Sequence, residues 1–366
     1  VIPGKATFEG TRRFAARAKG AKGHFREVTA KVFLSSIGLG TYLGKEDAAT
    51  DEGYAESISI AFESGINVLD TAINYRGQKS ERMIGRSLAR AIERGAVARD
   101  EVFVATKGGY LPHDADDSRP PRTYILETFV ESGIAPKGEI VSGGHCMAPS
   151  YLKDQIARSR TNLGLQTIDL YYLHNIESQH AAVDKTAFRK RLVAAAEVLE
   201  AAVDAGEIGE WGLATWDGLR VPPEHPEHLS MAATLEVARE VAGDKHHFCA
   251  VQAPVNLAMA QAIAYSSQET GRGKVPLLRA AQALGLSVFG SATLLQGRLA
   301  VELPEEIEQA FPEATTPARR AIQFARSAAG MCTSLVGVSS PEHARDVFGM
   351  SGVSPAEPSR VMALFE

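Results

Sequence analysis

Residues 66–86 read INVLDTAINYRGQKSERMIGR, and this stretch decides the fold. Ile66, Val68 and Leu69 form a short apolar run that ends on an acid, Asp70; Tyr75 follows in the next loop. A helix comes after it, with Ile84, Leu88, Ala91 and Ile92 on one face. The order is strand, loop, helix, with polar chemistry collected where the strand ends. In parallel α/β barrels that end of the strands carries the active site, because the βα loops gather there.

Outward from this unit the chain alternates. Upstream, Val32–Leu34 and Ile37–Thr41 have the pattern of short strands, and a helix is predicted from Thr50, taken as N-cap with Asp51 and Glu52 behind it, burying Tyr54, Ile58, Ala61 and Phe62. Downstream the strand candidates are Glu101–Lys107, Ile168–His174, Trp211–Thr215, Phe248–Ala253, Leu286–Gly290 and Ser334–Val338, each followed by an amphipathic stretch or, after Lys107, by a long irregular segment. Counting from Ile37 gives eight strands alternating with helices. Such alternation implies a parallel sheet, and eight units in one chain favour a closed barrel over an open sheet. The expectation is a single α/β domain over residues 1–366, a (β/α)8 TIM barrel with an N-terminal hairpin and a long insertion, residues 108–150, after the third strand. Loops longer than about 15 residues in compact domains are lids, binding loops or disordered segments. This one contains Tyr124, Ile125, Leu126, Phe129 and Val130, enough for an amphipathic turn or two, and brings His145 and Cys146 back toward the barrel mouth. Its start directly after Lys107 places it at the catalytic face, where the alternatives are a cover for the substrate pocket and a surface excursion. Residues 1–30 carry Arg12, Arg13, Arg17, Lys19, Lys22 and Arg26 between glycines, and read as a solvated basic leader rather than a binding arm.

Composition narrows the class. With 45% hydrophobic and 23% charged residues the chain matches ordinary globular proteins, and its net charge of −5 gives no reason to expect nucleic acid or an anionic membrane as partner. No apolar run reaches the ~18 residues of a membrane span, and Val1–Ala30 holds no apolar signal core. Cys146, Cys249 and Cys332 are far apart and form no C-x-x-C pair, so they read as reduced thiols of a cytoplasmic protein. No G-x-G-x-x-G occurs at a strand-helix turn, nor any P-loop, H-E-x-x-H or EF-hand pattern. His225, His228, His246 and His247 lie in polar sequence without a third ligand nearby, so no metal is expected.

The constellation that carries chemistry comes from three strand ends. Asp70, Lys107 and His174 each close an apolar strand, and alternation puts Asp70 on the face of Val68, Lys107 on that of Phe103 and Ala105, and His174 on that of Leu170 and Tyr172. If those faces line the barrel, an acid, an amine and an imidazole meet at its mouth beside Tyr75. A buried Asp–Lys pair with one satisfied histidine is the plainer alternative, and pairing follows under both because buried charges need partners.

On these residues the sequence resembles the aldo-keto reductases. The family signature G-x-N-x-x-D-T-A-x-x-Y-G, followed by S-E and a later Gly, matches Gly65, Asn67, Asp70, Thr71, Ala72, Tyr75, Ser80, Glu81 and Gly85, with Arg76 where the family has Gly. The likeness continues through VATK at Lys107, SRTNLGLQTIDLYYLH ending at His174, and GEIGEWGLATW around Trp211. It implies NAD(P)H-dependent reduction of an aldehyde or ketone, a small-molecule carbonyl substrate, with Asp70, Tyr75, Lys107 and His174 as the catalytic set. Tyrosine would protonate the carbonyl oxygen, Lys107 would lower the pKa of the phenol from about 10, Asp70 would stabilise the ammonium, and His174 would orient the carbonyl. A second class, a cofactor-bound regulatory or binding protein with little turnover, also exists in such a family.

The resemblance assigns cofactor contacts less evenly. Ala214 and Thr215 stand where the family has a Ser-Asn pair, and Gln252 matches the glutamine that holds the nicotinamide amide. Ser291 replaces the aromatic that stacks on the nicotinamide; Leu294, Gln296, Gly297 and Arg298 match the pyrophosphate loop, and Thr41 and Tyr42 the contacts near the ribose. At the adenosine end GVSSPEHARDV keeps Gly337, Ser339 and Glu342 but has His343, Asp346 and Val347 at polar family positions. Ser339 and His343 could meet a 2′-phosphate, so NADP is expected ahead of NAD.

Overall fold

The computed structural model describes residues 1–365. A short hairpin, β1 (Phe25–Glu27) and β2 (Phe33–Ser35), leads into eight parallel strands: β3 (Ile37–Gly40), β4 (Val68–Asp70), β5 (Phe103–Gly108), β6 (Ile168–His174), β7 (Ile208–Ala214), β8 (Phe248–Pro254), β11 (Ser287–Ser291) and β12 (Met331–Gly337). They close in that order, β12 pairing back onto β3 through Ser334–Ile37 and Gly337–Gly40. A small surface ladder, β9 (Gln268–Thr270) with β10 (Gly273–Val275), lies outside the barrel. The expected (β/α)8 barrel is therefore present, with the N-terminal hairpin.

Strand periodicity divides the core as a closed parallel barrel requires. Leu69, Val104, Tyr171, Leu173, Trp211, Leu213, Val251 and Val336 face outward into the main core with the helices. Val68, Phe103, Ala105, Leu170, Tyr172, Ala250, Phe289 and Leu335 fill the interior, and Val28, Val32 and Leu34 of the hairpin join them from below. The hairpin is thus the floor of the barrel. Asn67 bolts it on, accepting from Ser35 N (2.9 Å) and donating to the carbonyls of Phe33 (2.9 Å) and Glu101 (3.2 Å).

Two readings of the sequence change. The helix predicted from Thr50 spans Ala48–Glu63, and its N-cap is Asp47, whose carboxylate accepts from Thr50 N. Residues 1–30 are folded rather than a solvated leader. A helix over Phe8–Arg17 buries Phe14 while Arg13 and Arg17 pair with Glu101; Ala6 N donates to Asp169 (2.6 Å), and Arg26 donates to the carbonyls of Met331 and Arg326. Arg13, Arg17 and Arg26 are thus taken up by long-range acids and carbonyls, while Arg12, Lys19 and Lys22 are exposed.

Residues 108–150 have their own small core, formed by Leu111, Tyr124, Phe129, Ala135, Cys146, Ala148 and Tyr151. A helical segment, Pro121–Ile125 continued over Leu126–Glu131, supplies Tyr124 and Phe129, while Ile140–Val141 make no strand beyond a single bridge from Val141 to His145. The insert is anchored on the helix Lys79–Glu93 by ion pairs of Lys79 with Asp116 and of Arg82 with Asp114 and Asp116. No helix among the described residues is long and apolar enough to cross a membrane, and the three cysteines are free thiols.

Candidate active site

At the C-terminal mouth of the barrel lies a cavity of about 430 Å3. Asp70, Tyr75 and His174 line it together with Thr41, Tyr42, Thr215, Gln252, Ser291, Leu294, Gln296 and Gly297. Lys107 sits beneath, 1% exposed, with its Nζ 5.1 Å from the centroid of the Tyr75 ring. The four side chains expected from three strand ends and one loop therefore do meet. Arg298, Ser339 and His343 lie outside the cavity; Arg298 and His343 are exposed and Ser339 is half-buried.

Each is placed by local structure. Asp70, Lys107 and His174 point inward because they continue the interior faces of β4, β5 and β6. The Ser80-Glu81 pair pins the helix after Tyr75: Ser80 Oγ donates to Thr41 O (2.8 Å), and the buried Glu81 carboxylate accepts from Thr106 Oγ1 (2.7 Å) and Asn162 Nδ2 (2.8 Å). Gly85 lets that helix touch the end of the helix Pro149–Leu163, since a Cβ there would stand 2.5 Å from Leu163 O. Arg76, at the family's glycine, takes a left-handed φ of 50°. Its guanidinium is buried against the loop before the helix Ala48–Glu63 and that helix's first turn, donating to Lys45 O (2.7 Å), Asp47 O (3.2 Å) and Asp51 Oδ1 (2.7 Å).

Lys107 and Asp70 form a buried ion pair, Nζ–Oδ1 2.5 Å, and Nζ also donates to Thr71 O at 2.7 Å. Burial pushes Lys107 down and Asp70 up, and each is held toward its charged form by the other. Gln252 Nε2 donates to the second Asp70 oxygen at 2.8 Å, so in this structure the glutamine serves the ion pair. The phenol of Tyr75 is shifted well above its ordinary range, first by burial and then by the charge of Asp70. This corrects the expectation of a lowered phenol pKa: the ammonium is turned to Asp70 and Thr71, and desolvation dominates at the tyrosine. Burial, Lys107 and His145 together hold His174 well below the usual histidine pKa, so its ring is neutral. His174 Nδ1 has no partner. Aromatic edges surround the group: Tyr42 and Tyr75 at 5.1 Å, Tyr75 and His174 at 6.0 Å, Tyr110 and His174 at 5.4 Å.

Three features of the cavity suit a bound dinucleotide. Thr215 Oγ1 is buried at the wall with no hydrogen-bond partner, as a group awaiting an amide would be. Gly40 and Gly337 contribute no side chains to the lining. The loop after β11 holds three non-glycine residues at positive φ, Ala292 (54°), Leu295 (45°) and Gln296 (56°), a concentration of strain typical of ligand-binding loops. No group of three or more His, Cys, Asp or Glu that could hold a metal occurs among the described residues.

The Aldo/keto reductase family model matches residues 36–362. The chain belongs to that family. Among curated relatives, a D-threo-aldose 1-dehydrogenase of a Pseudomonas species is 31% identical over 128 residues, 35% of this chain and 35% of that protein, so the match spans about a third of the relative's length. Among solved structures, the glycerol dehydrogenase of Gluconobacter oxydans superposes with a TM-score of 0.64 at 18% identity, covering 94% of this chain and 95% of that one. An aldo/keto reductase of Klebsiella pneumoniae, solved with NADP and acetate, gives 0.61 at 19% identity with coverage of 94% and 95%. At such identities these likenesses bear on the aldo/keto reductase barrel alone. Sequence reading passed over Tyr110, which lines the cavity, and Trp216 at its rim; an aromatic within three residues of a strand end was the available signal for both.

Proposed function

We propose that the protein reduces an aldehyde or ketone to the alcohol with NADPH, NADH being the weaker alternative, and that Tyr75 is the proton donor. The observation that carries this reading is the convergence of Asp70, Tyr75, Lys107 and His174 at one mouth cavity. When bound, the dihydronicotinamide supplies the hydride. The protein must then protonate an oxygen on which negative charge is developing. Tyr75 holds the required proton at neutral pH, as a phenol of ordinary pKa ~10 does, and burial takes it further from ionisation. Lys107 is the cation nearest its ring and steadies the charge that the phenol oxygen acquires as the proton leaves. Asp70 keeps that ammonium charged and fixed, and Gln252 fixes Asp70. His174, neutral, donates one hydrogen bond to orient the carbonyl without competing as an acid.

Thr215 is the side chain suited to the nicotinamide amide, Thr41 and Tyr42 to the ribose, and Ser291, Leu294, Gln296 and Gly297 to the dinucleotide along the cavity wall. Arg298 suits the pyrophosphate and Ser339 and His343 a 2′-phosphate, which is the reason for ranking NADP first. The substrate is a small carbonyl compound held between Tyr42, Tyr110 and Trp216, whose rings narrow the access of water to the reacting centre. Fluorescence titration with NADPH and NADH, followed by turnover with a panel of aldehydes and ketones, tests the reading. Failure to bind either dinucleotide, or binding without turnover of any carbonyl, would overturn it.

A further inference from the structure

The insert and the catalytic histidine are joined by one hydrogen bond. His145, fully buried, places its Nε2 2.6 Å from the main-chain oxygen of His174. A carbonyl only accepts, so Nε2 carries the hydrogen and Nδ1 of the neutral ring must accept. Gln179 answers that requirement: its Nε2 lies 3.1 Å from His145 Nδ1, 3.0 Å from His145 O and 3.2 Å from Glu139 O, its two hydrogens being shared among the three acceptors. Arg191 in turn donates to Gln179 Oε1 and to Gly138 O (2.9 Å), and pairs with Glu139 (2.8 Å). Burial lowers the His145 pKa to about 4, which keeps the ring in the neutral form that this chain of donors and acceptors demands.

The backbone is shaped around the same contact. Leu111 N donates to Gly144 O (2.9 Å) and Cys146 N to Gly109 O (2.7 Å), closing the two ends of the insert against each other directly beyond Lys107. A Cβ on Gly109 would lie 2.6 Å from His174 O and 2.7 Å from His145 Nε2, inside the bond itself. On the other side Asn175 adopts a φ of 46°, so β6 stops at His174 in a left-handed turn. Tyr110 lies edge-on to both histidine rings, 5.2 Å from His145 and 5.4 Å from His174. His174 has no partner on Nδ1, and so lacks the side-chain hydrogen bond that would fix its own ring.

We infer that His145 is a positioning residue for the reductase reaction: through its hydrogen bond to the His174 carbonyl, held by Gln179 and Arg191, the insert sets the placement of the catalytic imidazole. The inference rests on the proposed carbonyl reduction for its kinetic consequence, but the tether itself can be read without turnover. Displacing a carbonyl-orienting group by a fraction of an ångström acts on the chemical step more than on dinucleotide binding.

Two variants separate the bond from the space the ring fills. His145→Phe keeps an aromatic ring beside Tyr110 and loses the donor; His145→Gln keeps an amide donor and loses the ring. In cofactor-free protein labelled with 15N-histidine, the expected wild-type spectrum at neutral pH shows His145 as the Nε2–H tautomer, and the His174 signals shift in His145→Phe but stay near wild type in His145→Gln. With cofactor and carbonyl substrate, His145→Phe should lower kcat roughly ten-fold or more with KM for NADPH changed less than about two-fold, and His145→Gln should recover most of the loss. A charged or Nδ1–H His145, unmoved His174 signals, or a Phe variant more active than the Gln variant would each overturn the inference. Should both variants misfold, Gln179→Met serves: it removes the donor to Nδ1, and a single unchanged His145 tautomer with full activity would also refute the tether. Absence of turnover in the wild-type protein would refute the proposed function and leave the spectroscopic test standing.

Discussion

Replacing Asp70 by Asn tests the buried ion pair without changing its volume. Lys107 Nζ is held by Asp70 Oδ1 and Thr71 O, and 1% of the lysine is exposed, so water cannot take over the lost charge. Removing one member of a buried pair leaves the other uncompensated and costs about 3–5 kcal/mol. The amide worsens matters, since it offers one acceptor where Lys107 and Gln252 both donate. The sign with pH follows from the direction of the Lys107 shift. Burial already lowers its pKa, and removal of Asp70, which opposes that, lowers it further. A lysine with a depressed folded-state pKa destabilises fully below that pKa and recovers as pH rises toward the unfolded value of ~10.4, with a slope of at most about 1.4 kcal/mol per pH unit. Denaturant unfolding at a series of pH values is the assay: a loss of about 3 kcal/mol at pH 7 that shrinks as the pH is raised toward 9 is expected. A variant as stable as wild type at pH 7, or a loss that does not change with pH, would refute the reasoning.

Arg76→Gly relieves the φ of 50°, worth about 1 kcal/mol, but removes charged hydrogen bonds to Lys45 O, Asp47 O and Asp51 worth more. A net destabilisation of about 1 kcal/mol is expected by denaturant midpoint, and a gain in stability would show that the clamp contributes nothing. Glu177, buried with its Oε1 accepting from Trp216 N (2.6 Å) and Asp217 N (3.2 Å), has its pKa raised to about 7, chiefly by burial. A raised carboxyl pKa means stability present at low pH and lost as pH climbs from ~4.3 through the folded value of about 7; Glu177→Gln should flatten the profile across that window, and an unaltered slope would assign it elsewhere. Ser291→Tyr should tighten NADPH binding by roughly 0.5–1.5 kcal/mol in a fluorescence titration if the missing stack on the nicotinamide is what limits affinity, and unchanged affinity would place the ring elsewhere.

The parts of the molecule legible in the sequence are those governed by local periodicity. Strands buried on both faces, followed by helices with one apolar stripe, gave the barrel, and the inward register of Asp70, Lys107 and His174 followed from counting in twos from Val68, Ala105 and Tyr172. What escaped depends on partners distant in sequence. Arg13, Arg17 and Arg26 look solvated until Glu101, Met331 and Arg326 are brought to them. Thr50 had the acids of a helix start behind it, yet the carboxylate of Asp47 reached its N–H first. The Tyr75 phenol was expected to be lowered by Lys107 because charge type is visible in a sequence and desolvation is not. His145 was legible as a residue brought back toward the barrel mouth but not in its contacts; its donor and acceptor, Gln179 and His174, lie on the next βα unit.

The measurement that bears most directly on the central claim is a single-turnover experiment with Tyr75→Phe, its cofactor affinity determined in parallel. The phenol acts in the transition state and contributes little to holding the dinucleotide, so NADPH should bind within a few-fold of wild type while the rate of carbonyl reduction falls by at least about a hundred-fold. Reduction at the wild-type rate, with binding intact, would contradict the assignment of Tyr75 as the proton donor.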